Sequence, residues 1–211
     1  IGDPRDWENS QSEMRKILDD IGITYTEADG EAAFYGPKLD IQMKNVHGKE
    51  DTLITIQIDF QLAERFGMEY TDRDGQKKHP IVLHRTSLGC YERTLALLLE
   101  KYAGALPTWL SPIQARTLTI TERSDAFARE VEAALRKDGL RAECDLRNEK
   151  IGFKVREAQL EKIPFMLVMG DREAEERTVT VRNRKGDNVG TMPFEQAVAM
   201  IKKANDDKVI D

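Results

Sequence analysis

The sequence predicts an α+β chain in two parts: an antiparallel sheet closed by a long helix over 1–110, then an α/β unit with a mixed sheet over 111–211. Three observations carry this. Apolar residues alternate with polar ones in the first part, as in strands with one wet face. In the second part, short β-rich runs alternate with segments of helical period. Between them lies Ala105-Leu106-Pro107-Thr108-Trp109-Leu110-Ser111-Pro112, two prolines bracketing an apolar anchor, which reads as the domain boundary.

The chain opens at Ile1-Gly2-Asp3-Pro4 without an initiator Met, as a loop before a helix, and reads as cut from something longer. Trp7 to Ile21 sets Met14, Ile17, Leu18 and Ile21 at helical spacing, with Gly22 as the left-handed stop. Lys38 to Met43 alternates as a strand, and Thr52 to Phe60 does so with Ile54, Ile56 and Ile58 on one side and Thr55, Gln57 and Asp59 on the other. A short helical turn and the hairpin signal Asp72-Arg73-Asp74-Gly75 lead to a strand from Pro80 to Leu83. The second part predicts a strand over Arg116–Thr121 and a helix carrying Phe127, Val131, Ala134 and Leu135 that stops at Gly139. A strand over Leu140–Asp145, a helix over Gly152–Lys162 and a strand over Phe165–Met169 follow. Then come a hairpin turning at Lys185–Asn188 and a last helix through Phe194, Ala197, Val198 and Ile201.

No run approaches the roughly 20 apolar residues of a membrane helix, and no leader is visible, so the expected location is the cytoplasm, with no membrane partner. Cys90 and Cys144 lack a Cys-x-x-Cys spacing and are expected as free thiols in a reducing compartment. A net charge of −6 argues against indiscriminate binding to nucleic acid, and DNA is not expected as a partner. It leaves room for a local face that reads unstacked RNA bases.

The densest chemistry lies in Val82-Leu83-His84-Arg85-Thr86-Ser87-Leu88-Gly89-Cys90-Tyr91-Glu92-Arg93, a strand, a glycine turn and a helix start. Glycine permits close approach of a ligand to backbone, and an arginine in a helix's first turn needs an anion, or a partner such as Asp59, to answer the helix dipole. The stretch resembles the third class-defining motif of the class II aminoacyl-tRNA synthetases. The His84-Arg85 pair narrows the resemblance to the threonine-specific members. Ala33-Phe34-Tyr35-Gly36-Pro37-Lys38 is similar to a peptide that lines their threonine pocket. Cys144-Asp145-Leu146-Arg147-Asn148-Glu149-Lys150-Ile151-Gly152-Phe153-Lys154-Val155-Arg156-Glu157 is similar to a segment of their anticodon-binding domain.

The resemblance implies the end of a class II antiparallel-sheet catalytic domain followed by an anticodon-binding domain. It implies a threonine–tRNA ligase that activates threonine with ATP and transfers it to the 3′-terminal adenosine of threonine tRNA, touching the acceptor and anticodon arms. It further implies magnesium with ATP, a homodimer, and a zinc ion of which His84 is one ligand, since zinc needs further ligands from elsewhere. Carried over residue by residue, Arg93 is the catalytic ATP contact, and Tyr35, Lys38, Thr52, Thr55, Gln57 and Cys90 line the substrate and ATP site. Asn148, Arg156, Lys162, Glu173 and Arg182 read the anticodon, with Arg184 and Lys185 holding phosphate. Thr52 stands where a glutamine is common, and Cys90 where a serine is, and a thiol is the poorer hydrogen-bond donor. Without the earlier class-defining motifs, the chain is expected to be catalytically incomplete. The competing reading is a non-catalytic RNA-binding or regulatory module built on the same body.

Overall fold

The computed structural model describes residues 2–210 and divides into two compact units, Ile1–Glu100 and Lys101–Asp211. Ile1, the first residue of the expected opening loop, lies outside the described residues.

In the first unit, helix α1 (Pro4–Asp20) starts ahead of the apolar stripe, because Asp3 caps it by accepting the Arg5 N–H and Pro4 supplies the first helical position. Gly22 takes the left-handed conformation (φ +70°) just beyond its end, as the sequence indicates. Strands β1 (Lys38–Lys44) and β2 (Glu50–Asp59) pair antiparallel. Helix α2 (Leu62–Arg65) and the ribbon β3 (Tyr70–Thr71) and β4 (Lys77–Lys78) follow, the ribbon turning at Asp72–Gly75. Strand β5 (Val82–Arg85) then closes the sheet in the order β1-β2-β5, and α3 (Tyr91–Lys101) completes the unit. On the sheet's apolar face, Ile41 and Leu83 are exposed.

Asp59 departs from the expected wet face: it is only 5 % exposed. Its Oδ1 accepts the N–H groups of Gln61 and Leu62, each at 2.9 Å, and so caps the turn into α2. Its Oδ2 lies 2.9 Å from His84 Nε2, tying β2 to β5. Burial pushes this carboxyl up, but the His84 hydrogen bond and the amides outweigh it, so it lies below the ordinary carboxylate range.

The second unit holds strands β6 (Ala115–Thr119), β7 (Ala142–Asp145) and β8 (Phe165–Met169), all parallel. Strands β9 (Thr178–Asn183) and β10 (Asn188–Pro193) add antiparallel, giving the order β10-β9-β8-β6-β7. This is the mixed sheet that the alternation predicts. Helices α4 (Asp125–Lys137) and α7 (Phe194–Asp206) bury Phe127, Val131, Leu135, Phe194 and Ile201 on one face with Val179 and Val181. Helix α5 (Ile151–Leu160) covers Leu118, Met166 and Val168 on the other. Helix α6 (Asp171–Glu176) has no apolar period and was invisible to that criterion; Glu173 holds its start by accepting the Gly170 N–H at 3.0 Å. Among the described residues no helix is long and apolar enough to cross a membrane.

Replacing Asp59 by Ala should cost the first unit about 1–3 kcal/mol at neutral pH. A carboxylate held below its unfolded value contributes stability that is complete above the ordinary carboxylate range and is lost as pH falls through the folded value. The difference between wild type and variant, read from urea unfolding by Trp7 fluorescence, should therefore shrink below about pH 4. The thiols should separate equally clearly. Cys90 is exposed, whereas burial and the Glu132 carboxylate push the half-buried Cys144 thiol up to about 12. A thiol reagent at pH 8 should titrate Cys90 promptly and Cys144 only on unfolding; equal rates would contradict the packing described here.

Candidate active-site face and nucleic-acid interface

In the first unit, the antiparallel register sets Lys38 opposite Gln57 and Gln57 opposite His84, so these side chains form a row across one sheet face. Asp40 stands opposite Thr55 in the next row. The register then shifts, Ile41 pairing Ile54 but Gln42 pairing Thr52, so Leu53 is an extra residue in β2. This bulge brings Thr52 to the side of Gln42, and its hydroxyl donates to Gln42 Oε1 at 3.0 Å.

Two glycines lay flanking peptides directly on β2. A Cβ on Gly36 would stand 1.9 Å from the Ile58 carbonyl oxygen, and one on Gly89 would stand 1.9 Å from that of Leu53. With Gly36 in place, Phe60 N–H donates to Tyr35 O at 3.0 Å, and the Tyr35 hydroxyl donates to Gln57 Oε1 at 2.9 Å. The Tyr35 ring meets His84 edge-on at 6.3 Å between centroids. Thr55 Oγ1 donates to Asp40 Oδ1 at 2.8 Å, while Lys38 Nζ pairs with Asp40 Oδ2 at 2.6 Å. Asp40 therefore sets the positions of two expected site residues. Sequence reading passed it over, although its place two residues from Lys38 puts it on the same strand face.

Gly89, with φ at +64°, turns the chain into α3, and Arg93 reaches back to donate to Thr52 O at 2.9 Å. The alternative of an ion pair between Arg93 and Asp59 is incorrect: Asp59 is engaged by His84 and by the turn amides. Cys90 Sγ donates to Glu92 Oε2 at 3.0 Å, which lowers the Glu92 carboxyl at the helix start. Tyr35, Lys38, Thr52, Thr55, Gln57 and His84 thus share one face, and Arg93 and Cys90 come from the turn beside its bulged end.

The donor set does not fit a complete zinc centre. Among the described residues no three of His, Cys, Asp and Glu gather as a metal site. His79 Nδ1 is occupied by Met68 O at 2.8 Å, and His84 Nε2 faces Asp59. A carboxylate on one imidazole nitrogen is the arrangement that orients a metal-binding histidine, so His84 alone suits the part of a single ligand.

In the second unit, β9 alternates strictly. Val179 and Val181 are buried under α4 and α7, which puts Thr178, Thr180 and Arg182 on the face that α5 shares. On α5, Glu157 turns toward β7 by pairing with Arg147, and Gln159 donates to Lys185 O at 2.6 Å, so the Arg156–Gln159 side borders the β9–β10 hairpin. Arg182 Nη1 is steadied by Gly186 O at 2.9 Å. Glu173 stands where β8 gives way to β9. Asn148 is exposed in the loop after β7, which Arg147 anchors to Asp145 at 2.6 Å. These residues, with Arg156, frame one side of the sheet.

Two expectations change. Arg184 is not a phosphate hand: its guanidinium donates to Lys162 O at 2.9 Å, to Ala105 O at 3.1 Å and to Leu106 O. Lys162 is left-handed (φ +59°), and its ammonium holds Ala103 O. Sequence reading also missed Lys154, 1 % exposed, whose Nζ donates to Thr119 O at 2.8 Å and Asp145 O at 3.1 Å. A cation in a predicted helix gives no signal of burial. Here it joins the ends of β6 and β7 from which the Asn148 loop departs.

The comparisons with known proteins agree with this geometry. Residues 5–102 match the family model "tRNA synthetase class II core domain (G, H, P, S and T)", and residues 111–204 match "Anticodon binding domain". A threonine–tRNA ligase of Clostridium perfringens is 60 % identical over 95 % of this chain, and one of Clostridium botulinum is 57 % identical over 92 %. The chain spans 31 % and 30 % of those relatives. The solved RNA-binding domain of threonyl-tRNA synthetase from Cryptosporidium parvum superposes with a TM-score of 0.85 at 34 % identity, covering 97 % of this chain and 52 % of that one. With both family models in order along it and these relatives matching nearly its whole length, the chain belongs to the threonyl-tRNA synthetase family, as the region that joins the end of the class II core to the anticodon-binding domain.

Proposed function

We propose that this chain is the anticodon-reading part, with one wall of the catalytic site, of a cytoplasmic, homodimeric threonine–tRNA ligase that uses ATP, threonine and threonine tRNA. The observation that carries the reading is the pair of residue sets just described, one on a single sheet face in the first unit and one along the α5 side of the second. The functional boundary falls between Leu110 and Ser111.

On the catalytic face, Tyr35 and Gln57 orient each other and suit an amino-acid or adenylate group, and Thr55, steadied by Asp40, suits a ribose. Arg93, held to the Thr52 carbonyl by one N–H, can turn its remaining donors to a nucleotide. Magnesium bound with ATP would supply charge to the phosphates. Zinc would need ligands beyond His84, so it enters no step here. When bound it would separate threonine from valine, because a hydroxyl can coordinate and a methyl cannot.

In the second unit, Asn148, Arg156, Glu173 and Arg182 present amide, guanidinium and carboxylate groups suited to the edges of splayed bases. Lys162 would contribute if RNA draws its ammonium from Ala103. Lys185, exposed in the hairpin turn, suits a phosphate.

The chain should bind a threonine-anticodon RNA stem-loop more tightly than the same stem with its loop replaced, and that preference should survive a rise in salt that weakens both. Arg182→Ala should cost roughly 1–3 kcal/mol of that discrimination in fluorescence anisotropy. Equal, salt-sensitive affinity for both RNAs would overturn the reading. Threonine-dependent ATP–pyrophosphate exchange by the 211-residue chain should stay at background.

A further inference from the structure

The cover supplied by α5 ends at β8: the apolar cluster beneath it draws on Leu118 of β6 and on Met166 and Val168 of β8. Beyond it, the same face of β9 and β10 is a ladder of cross-strand pairs, Thr178 with Pro193, Thr180 with Thr191, and Arg182 with Asn188. Its middle rung is a hydroxyl pair, Thr180 Oγ1 and Thr191 Oγ1, 2.8 Å apart. One hydroxyl spends its proton on the other, which leaves a second proton and several lone pairs facing outward. The rung cannot drift. Both side chains are β-branched and so restricted at χ1. The hairpin is also locked to α5 through Gln159 and Lys185 O, so tightly that a Cβ on Gly186 would stand 2.5 Å from Gln159 Nε2.

We propose that this hydroxyl pair is a further specificity-determining contact for RNA, taking a base edge or 2′-hydroxyl of an unpaired loop nucleotide. This rests on the anticodon-reading function proposed above. The pair lies on the floor of the frame, with the Arg156 side of α5 as its wall, Arg182 one step along the strand, and Glu173 beyond the other end of β9. A nucleotide held by Arg182 or Glu173 has to lie against this rung. Fixed hydroxyls accept and donate, so they suit the 2′-hydroxyl that separates RNA from DNA. A hydrophobic isostere at the rung would leave the nucleotide's polar edge unpaired.

The test is the double substitution Thr180→Val and Thr191→Val in the 211-residue chain, which keeps shape and strand propensity. Near-UV circular dichroism and a thermal melt check the fold. Affinity for the threonine-anticodon stem-loop should fall about ten-fold, with less than about a two-fold change for the loop-replaced RNA, and Thr→Ser at both positions should restore most of the loss. Unchanged discrimination in the valine variant, while Arg182→Ala removes it, would overturn this proposal and leave the anticodon-reading function standing. If the wild-type chain does not discriminate between the two RNAs, both fall together. A valine variant that melts early would be judged on the serine pair and on each single valine; wild-type discrimination in both single-valine chains would reject the rung.

Discussion

Strand β2 is in contact with two peptides that admit no side chain between themselves and its carbonyls, and the catalytic face depends on that contact. Gly36 lies on Ile58 O and Gly89 on Leu53 O, where any Cβ would stand 1.9 Å from oxygen. The first contact brings Tyr35 over Gln57; the second sets the turn from which Arg93 reaches Thr52 O. The bulge at Leu53 belongs to the same constraint, since it bends the strand where Gly89 arrives and rotates Thr52 onto the working face. Dispersion and hydrogen bonding around the strand then finish what backbone geometry begins.

The fold was legible wherever one period dominated. The alternation from Lys38 and from Thr52 gave strands within a residue or two of those observed, and the strand–helix rhythm after Pro112 gave the parallel core and the hairpin. Helix α6 was not legible: Asp171-Arg172-Glu173-Ala174-Glu175-Glu176 has no apolar stripe, and it is held by a backbone cap. For the site, residue type and position on a strand carried most of the information, because facing residues in a sheet follow from register. Side chains that reach across the chain were not legible. Nothing local in the sequence tells that Asp59 turns inward to His84, that Arg184 gathers carbonyls, or that Lys154 is buried.

The two units use buried charge differently. In the first, Asp59 is a carboxylate answered by an imidazole and by turn amides. In the second, Arg116, 6 % exposed, is gripped by Glu143 and Glu161, while Lys154 is solvated by backbone and hydroxyl oxygens in place of water. A buried cation is tolerable when its donors are all placed, and removing one partner exposes the full desolvation cost. Such groups define where strands end. In the second unit, those ends are where Asn148 and Glu173 leave the sheet.

The carbonyls of Ala103, Ala105 and Leu106 are claimed by Lys162 and Arg184, one from the turn after α5 and one from the β9–β10 hairpin. A connecting segment tied in this way is a lever and not a rope. Slack in it is confined to the few residues ahead of Ala103, and the prolines at Pro107 and Pro112 stiffen a stretch already tethered. Any displacement of the hairpin turn is delivered to the peptide at Ala105 with little loss, because a guanidinium that holds several carbonyls at once resists shear as well as stretch.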